Sequence, residues 1–475
     1  MDYLTIFVVL SFFLTFIYAF IISCRRTSRL PPGPYPYPII GNLLELGDKP
    51  HYSLATLSKC YGPLMSLKLG SVTTMVVSSP HIAKEVFQTY DQSSSSRVIP
   101  DAARLVDHHK YSMVWLPAGD QWRRLKRITR ESMFTMQRLD ASEIVRQEKV
   151  QELLEHVSQY CSNKKALNIV SSQGFKDAVC GLMELSGNPN ISDFFPILKP
   201  FDLQGFLRRS NVYGKKLLSI FDMIIDERTQ ERSSSSYDGD HSSKSRDLLD
   251  LLLDLSMKDE SEISPNDMRH LFLDLFVAGT DTTSTTLEWA MAELIRNPHK
   301  MEKARSELTK FMQNNNKNIH EHDISKLPYL QAIIKETLRL HPPAPLLLPH
   351  RAMLDLEIQG FIVPKNAQIL CNVWAMGRDP SIWSDPETFI PERFLEVKID
   401  YKGQDFMLIP FGAGRRICPA LNSAHRMLHI VLGSLIQKFD WKLEGNIRTR
   451  DMDMGERFGI SLSKKVPLMA IPIKL

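Results

Sequence analysis

Phe406-Met407-Leu408-Ile409-Pro410-Phe411-Gly412-Ala413-Gly414-Arg415-Arg416-Ile417-Cys418-Pro419-Ala420 is the most informative stretch of this 475-residue chain. A lone cysteine among apolar residues is ordinarily a buried structural thiol. Here Gly412 and Gly414 let the backbone turn tightly and aim amide N–H groups at a sulfur. With Arg416 nearby, those donors favour the anionic form of Cys418, which a metal ligand requires. The run Leu421–Leu435 that follows has helical spacing, so a helix N-terminus beside the sulfur adds a favourable dipole.

Working outward, Ala278-Gly279-Thr280-Asp281-Thr282-Thr283 lies inside the helical run Leu271–Ile295. Glycine and threonine are poor mid-helix residues, and threonine hydroxyls return to the preceding turn's carbonyls, so a local opening is expected. By itself this is also the pattern of a polar helix face. In Lys335-Glu336-Thr337-Leu338-Arg339-Leu340-His341-Pro342, Glu336 and Arg339 share a face at i, i+3. Alone that is a common surface ion pair; Pro391-Glu392-Arg393-Phe394 follows it. Helical spacing also predicts helices at about 80–90, 118–135, 140–162, 204–230, 264–296, 298–313 and 327–340, and the alternating 64–78 predicts a hairpin. Residues 232–246 read as a polar, serine-rich loop, and a second loop carries Asn314, Asn315, Asn316, His320 and His322. His320-Glu321-His322-Asp323 and Asp107-His108-His109 lack an i, i+4 ligand pair or a third ligand nearby, so they read as loop histidines.

Taken in order, these motifs resemble the cytochrome P-450 family over essentially the whole chain. The resemblance implies a mainly α fold with small β-sheets: one large haem-enclosing domain behind an N-terminal transmembrane helix. It makes Cys418 the axial ligand of haem b, Arg416 a contact to a haem propionate, and Phe411 a neighbour of the thiolate. Trp122 and Lys126, at i, i+4, are similar to the family's Trp-x-x-x-Arg propionate contact, with lysine where arginine is usual; His350 matches a further one. Ala420 stands where the family usually has glycine, and its methyl is expected to crowd the porphyrin. Asp281 and Thr282 match the acid and alcohol that deliver protons on the oxygen side. Glu336, Arg339 and Arg393 match a buried structural lock.

Within the family the pattern resembles the plant branch that includes geraniol hydroxylases and ferruginol synthase. The resembling stretches are Pro31-Pro32-Gly33-Pro34, Asp202–Arg209, Trp374–Asp379 and Met452–Ile460. Pocket walls by family position are Val114, Trp115, Phe276, Ala278, Leu346, Leu347, Phe458 and Ile460, all apolar, as a lipophilic substrate requires. The implied reaction inserts one atom of dioxygen into a small lipophile such as geraniol. No Gly-x-Gly-x-x-Gly turn follows a strand, so electrons come from a partner, which the resemblance makes an NADPH-cytochrome P-450 reductase. Arg123, Arg127 and Arg130, at i, i+4, i+7, form a candidate docking face apart from Trp122 and Lys126. Competing readings are a haem-thiolate isomerase or dehydratase that needs neither dioxygen nor reductase, and an inactive truncated form.

Composition agrees with one globular domain: 43% of residues are hydrophobic, 24% are charged, and the formal charge of +4 gives no warrant for nucleic-acid binding. Six cysteines without regular pairing suit a reducing compartment. Leu4–Ser23 is an uncharged run long enough to span a bilayer, with Asp2 before it and Arg25, Arg26 and Arg29 after it. This predicts an anchor at 1–24, a basic, proline-rich hinge at 25–38, and a cytosolic catalytic domain at 39–475 on the endoplasmic reticulum membrane. After Lys164–Val170 the chain passes directly to Ser171–Asp177, where the resembling family inserts a core helix of about six turns. A destabilised protein with poor haem retention is the expected consequence.

Overall fold

The structure, a computed structural model, describes residues 3–25, 29–163, 165–168, 175–235, 247–258, 262–314 and 319–475. In chain order its longer helices are α1 (Tyr3–Arg25), α2 (Pro50–Tyr61), α3 (Asp120–Ile128), α4 (Glu143–Asn163), α5 (Phe175–Gly187), α6 (Phe206–Ser235), α7 (Leu248–Lys258), α8 (Pro265–Arg296), α9 (Pro298–Asn314), α10 (Pro328–Leu340) and α11 (Leu421–Lys438). The main sheet joins β1 (Leu64–Leu69), β2 (Val72–Val77), β3 (Ser96–Arg97), β5 (His350–Arg351) and β8 (Gln368–Cys371) in the order β1-β2-β8-β5-β3. A second sheet sets β4 (Leu167–Asn168) beside β12 (Met469–Lys474) and β9 (Phe439–Leu443); β6–β7 (Leu356–Ile358, Phe361–Val363) and β10–β11 (Glu456–Arg457, Ser463–Lys464) are hairpins.

Helix α8 is the axis of the fold. Ser264 starts it with a capping box: its hydroxyl accepts from Asp267 N while Asp267 accepts from Ser264 N, both at 3.1 Å, and Pro265 occupies the first turn. Its N-terminal half places Met268, Leu271 and Phe272 in one buried cluster with Trp122, Leu125 and Ile128 of α3. Its C-terminal half packs Ala290, Met291 and Leu294 into a cluster with α9, α10 and α11. The expected local opening at Gly279–Thr283 does not occur. Thr282 Oγ1 donates to Ala278 O at 2.7 Å and Thr286 Oγ1 to Thr282 O at 2.8 Å, each using a carbonyl's second lone pair while the helix runs on without a break.

The expected loop at 232–246 begins later than its composition suggests. Arg232–Ser235 extend α6, because Arg232 reaches across to Asp254 and to Asp250 O on α7; residues 236–246 lie outside the described residues. The side chains of α1 are described from Tyr3 to Tyr18, and among the described residues no helix is long and apolar enough to cross a membrane. The junction expected to lack a helix falls on residues 169–174, also outside the described residues.

Glu336 and Arg339, both fully buried on α10, form a polar knot in the core. Arg339 donates to Glu336 at 2.7 and 2.8 Å and to the carbonyls of Gly377, Pro386 and Thr388. Arg393 and the amide of Ile390 complete the carboxylate's shell at 3.2 and 2.7 Å. The knot ties α10 to the irregular segment that leads to the cysteine loop. Glu336→Ala strands two buried guanidiniums and is expected to destabilise the fold by about 3–5 kcal/mol, read from the urea unfolding midpoint.

Candidate active site

The cysteine loop is shaped by backbone constraints. Gly412 and Gly414 have φ of +72° and +64°, and a Cβ at Gly414 would stand 2.3 Å from Phe87 O, so only glycine fits there. Cys418 N donates to Phe411 O at 2.9 Å and closes the turn; the Phe411 ring lies 5.4 Å from that of Tyr401. Burial pushes the Cys418 thiol up to about 11, against which the Ala420 N–H pulls down. Arg416, expected to help, turns away from the sulfur. The thiolate therefore needs a bonded metal cation to persist at neutral pH. Ala420 itself caps α11 with φ −91°, a conformation that alanine adopts without strain.

Arg416 enters a partly buried cationic cluster. Its guanidinium lies 4.3 Å from the Trp122 ring centre and donates to Ser95 O at 2.7 Å, Met113 O at 3.1 Å and Leu116 O. Arg97, which is buried, donates to Leu348 O at 2.7 Å, and its Nε has no hydrogen-bond partner among the described residues. Burial lowers Arg97, with Arg416 adding repulsion, and burial alone brings Arg416 down to about 10. Lys126 stands 5.0 Å from the Trp122 ring centre and donates to Arg415 O. His350 pairs with Arg97 across β5–β3, and its Nδ1 lies 2.8 Å from Ser94 O. The hydrogen-bond acceptors of Arg97, Arg416 and Lys126 are backbone carbonyls, not carboxylates, so the cluster is suited to receive an anion. Arg97 escaped the reading of the sequence. The signal lay in its pairing with His350, 253 residues away, which only the sheet register reveals.

Helix α8 is buried toward both ends but exposes Ala278 and Gly279 in its middle, and a Cβ built on Gly279 meets nothing within 4 Å. Thr282 lies one turn on from Ala278, on the same face. Phe276, two residues and about 200° from Ala278, points elsewhere: it keeps 45% exposure and meets Phe221 of α6 at 5.2 Å and Phe272 at 6.3 Å. Leu346 and Phe458 meet in one cluster with Met65 and Val76. Leu347, with φ +50°, turns the other way, onto the cluster containing Phe87 and Ala413 of the cysteine loop. Ile460 packs through its backbone on the end of α5, where a Cβ at Gly187 would stand 1.9 Å from Ile460 N. Val114 and Trp115 sit on the loop whose carbonyls Arg416 holds.

The family model for cytochrome P-450 matches residues 31–180 and 170–469. This chain belongs to the cytochrome P-450 family. It is 52% identical to cytochrome P-450 76T24 of Catharanthus roseus, over 96% of this chain and 95% of that one. It is 45% identical to geraniol 8-hydroxylase of Swertia mussotii, over 100% and 99%. It is also 44% identical to ferruginol synthase of Salvia miltiorrhiza, over 95% and 96%. The protein is thus an oxidoreductase of the monooxygenase type, and its family implies haem-thiolate iron.

The residues fit that group: a cysteine sulfur for the iron, and Arg97, Arg416, Lys126 and His350 for the two propionates. Arg97→Leu is expected to leave the protein folded but to raise the rate of haem loss to a scavenger protein about tenfold or more, the cost of one charge-assisted contact.

Proposed function

We propose that this cytochrome P-450 hydroxylates a terpenoid such as geraniol, drawing electrons from NADPH through a membrane-bound reductase. The observation that carries the reading is the acid-alcohol pair Asp281-Thr282 on the open middle of α8. Isomerisation and dehydration consume no protons overall; a monooxygenase consumes two for each oxygen atom released as water. Haem iron held by Cys418 supplies the activation of dioxygen when bound. Thr282 holds its own proton toward Ala278 O, which leaves its lone pairs open to accept and pass another. The terpenoid substrate is supported by the relatives named geraniol 8-hydroxylase and ferruginol synthase and by the apolar side chains of Val114, Trp115, Leu346 and Phe458.

A membrane location is part of the proposal. It is supported by the uncharged run Leu4–Ser23 and by exposed apolar side chains around the adjoining surface. Ile39, Leu44, Phe201 and Leu203 are exposed, and Ile197 is 83% exposed. Gly70 N to Ile40 O and Ser71 N to Phe194 O, at 3.1 and 2.9 Å, join the two segments that carry them. For reductase docking, Arg123 is paired with Asp120 and Arg127 with Glu262, so exposed Arg130 is the more available cation of that face. Incubation with geraniol, NADPH and a reductase tests the reading. Thr282→Ala is expected to keep the reduced carbon monoxide spectrum while product per NADPH falls at least about tenfold. Product formed without NADPH or dioxygen would support an isomerase or dehydratase instead.

A second reading, a truncated form that folds poorly, is favoured by one specific observation. The family model matches in two stretches that meet at residues 170–180. Alignment with the Swertia mussotii enzyme runs over 500 positions whereas this chain has 475 residues, so at least 25 of its positions face no residue here. That length makes a helix of about seven turns. Inserting the relative's segment after Val170 is expected to raise haem content and the thermal midpoint; equal values in the two proteins would make the segment dispensable.

A further inference from the structure

Asp274 lies on α8 one turn before Ala278 and is buried. Its carboxylate accepts two hydrogen bonds, from Ser112 Oγ at 2.6 Å and from Met113 N at 2.8 Å, and His108 Nε2 lies 3.1 Å from it. Ser112 Oγ in turn accepts from Val114 N at 3.1 Å and Trp115 N at 3.3 Å. His270, one turn before Asp274, brings its Nδ1 to 3.0 Å from His108 Nδ1, and Tyr111 stacks on the His270 ring at 5.1 Å. Burial, then the neighbouring His108, brings His270 down to about 4, so it is neutral at physiological pH. From the opposite side Arg416 takes Met113 O and Leu116 O. The Met113 peptide is thus held at its N–H by α8 and at its C=O by the cysteine loop.

We infer that Asp274 is a positioning residue that, through Ser112, fixes Val114 and Trp115 at the edge of the substrate space and so sets how a substrate lies against α8. This rests on the hydroxylase reading for the substrate, but not for the clamp itself. A carboxylate suits the position because it accepts from both donors and offers none; an amide in its place would direct an N–H₂ at the Ser112 hydroxyl or the Met113 N–H. Loss of this shell frees a loop whose other anchor, Arg416, is shared with the haem-facing cluster.

The test uses the haem-loaded full chain with Ser112→Ala, Asp274→Asn and Ser112→Thr. Amide hydrogen exchange over residues 108–116 reports the clamp, and spectral titration with geraniol plus the position of hydroxylation report the fit. Ser112→Ala and Asp274→Asn are expected to speed exchange about tenfold or more, weaken geraniol binding about tenfold and spread the product over more than one carbon, at unchanged haem content. Ser112→Thr, which keeps the hydroxyl, is expected to restore all three. Unchanged exchange in haem-loaded Ser112→Ala overturns the clamp. Faster exchange with geraniol affinity and product position unmoved overturns its role in specificity. If Asp274→Asn fails to retain haem, the milder Ser112→Ala decides. Absence of a geraniol response in the unaltered protein would count against geraniol alone, because the exchange readout needs no substrate.

Discussion

Buried Arg97 and half-buried Arg416 lie close enough for Arg416 to lower the pKa of Arg97, and among the described residues their hydrogen-bond acceptors are backbone carbonyls. Two like charges in a low-dielectric interior repel, and carbonyl dipoles offset only part of the desolvation cost. An arrangement of this kind is stable when an anion joins it. The same logic, with the sign reversed, applies to Cys418, whose burial favours the thiol unless a metal cation bonds to the sulfur. Cations without an anion and a sulfur without a cation are complementary demands. Haem, with its iron and two carboxylates, meets both, so folding of this region and cofactor binding are expected to be one linked process.

Around that constraint α8 acts as the beam. Asp274 holds the loop with Val114 and Trp115, Ala278 and Thr282 form the open face, and Trp289, farther along, stacks on His341 at 3.9 Å. The plant-branch stretches also meet in space. Trp374 donates to Glu456 at 3.1 Å, His51 lies 3.0 Å from the same carboxylate, and the His51 ring stacks on Phe458 at 5.4 Å. These contacts give Trp374 and Glu456 a structural meaning, because they fix the terminal segment from which Phe458 projects.

Motifs that depend on local geometry were legible from order and spacing alone. The glycines of the cysteine loop, the i, i+3 pair Glu336–Arg339, the i, i+4 pair Trp122–Lys126, and the long periodic runs at 264–296, 298–313 and 327–340 all reduce to backbone torsions and the 3.6-residue repeat. The hairpin at 64–78 was equally plain, since alternation and the turn at Gly70-Ser71 set its register. Helices α2, α5 and α7 were not, because their apolar faces are short and their stability comes from packing on neighbours distant in sequence.

What the sequence by itself determined is the chemistry of single positions: a sulfur in a tight turn, an acid beside an alcohol in mid-helix, and an acid and a base one turn apart. Tertiary structure alone decided which of these meet. Arg97 became a site residue through β3–β5 pairing. Arg416 gave its donors to the 112–116 loop instead of the sulfur, and Asp274 gathered two donors from a segment about 160 residues earlier. The physical reason is the same in each case. Spacing along a chain fixes neighbours within a turn or a hairpin, whereas the partners of a buried charge are chosen by whichever distant backbone the packed core brings within hydrogen-bond reach.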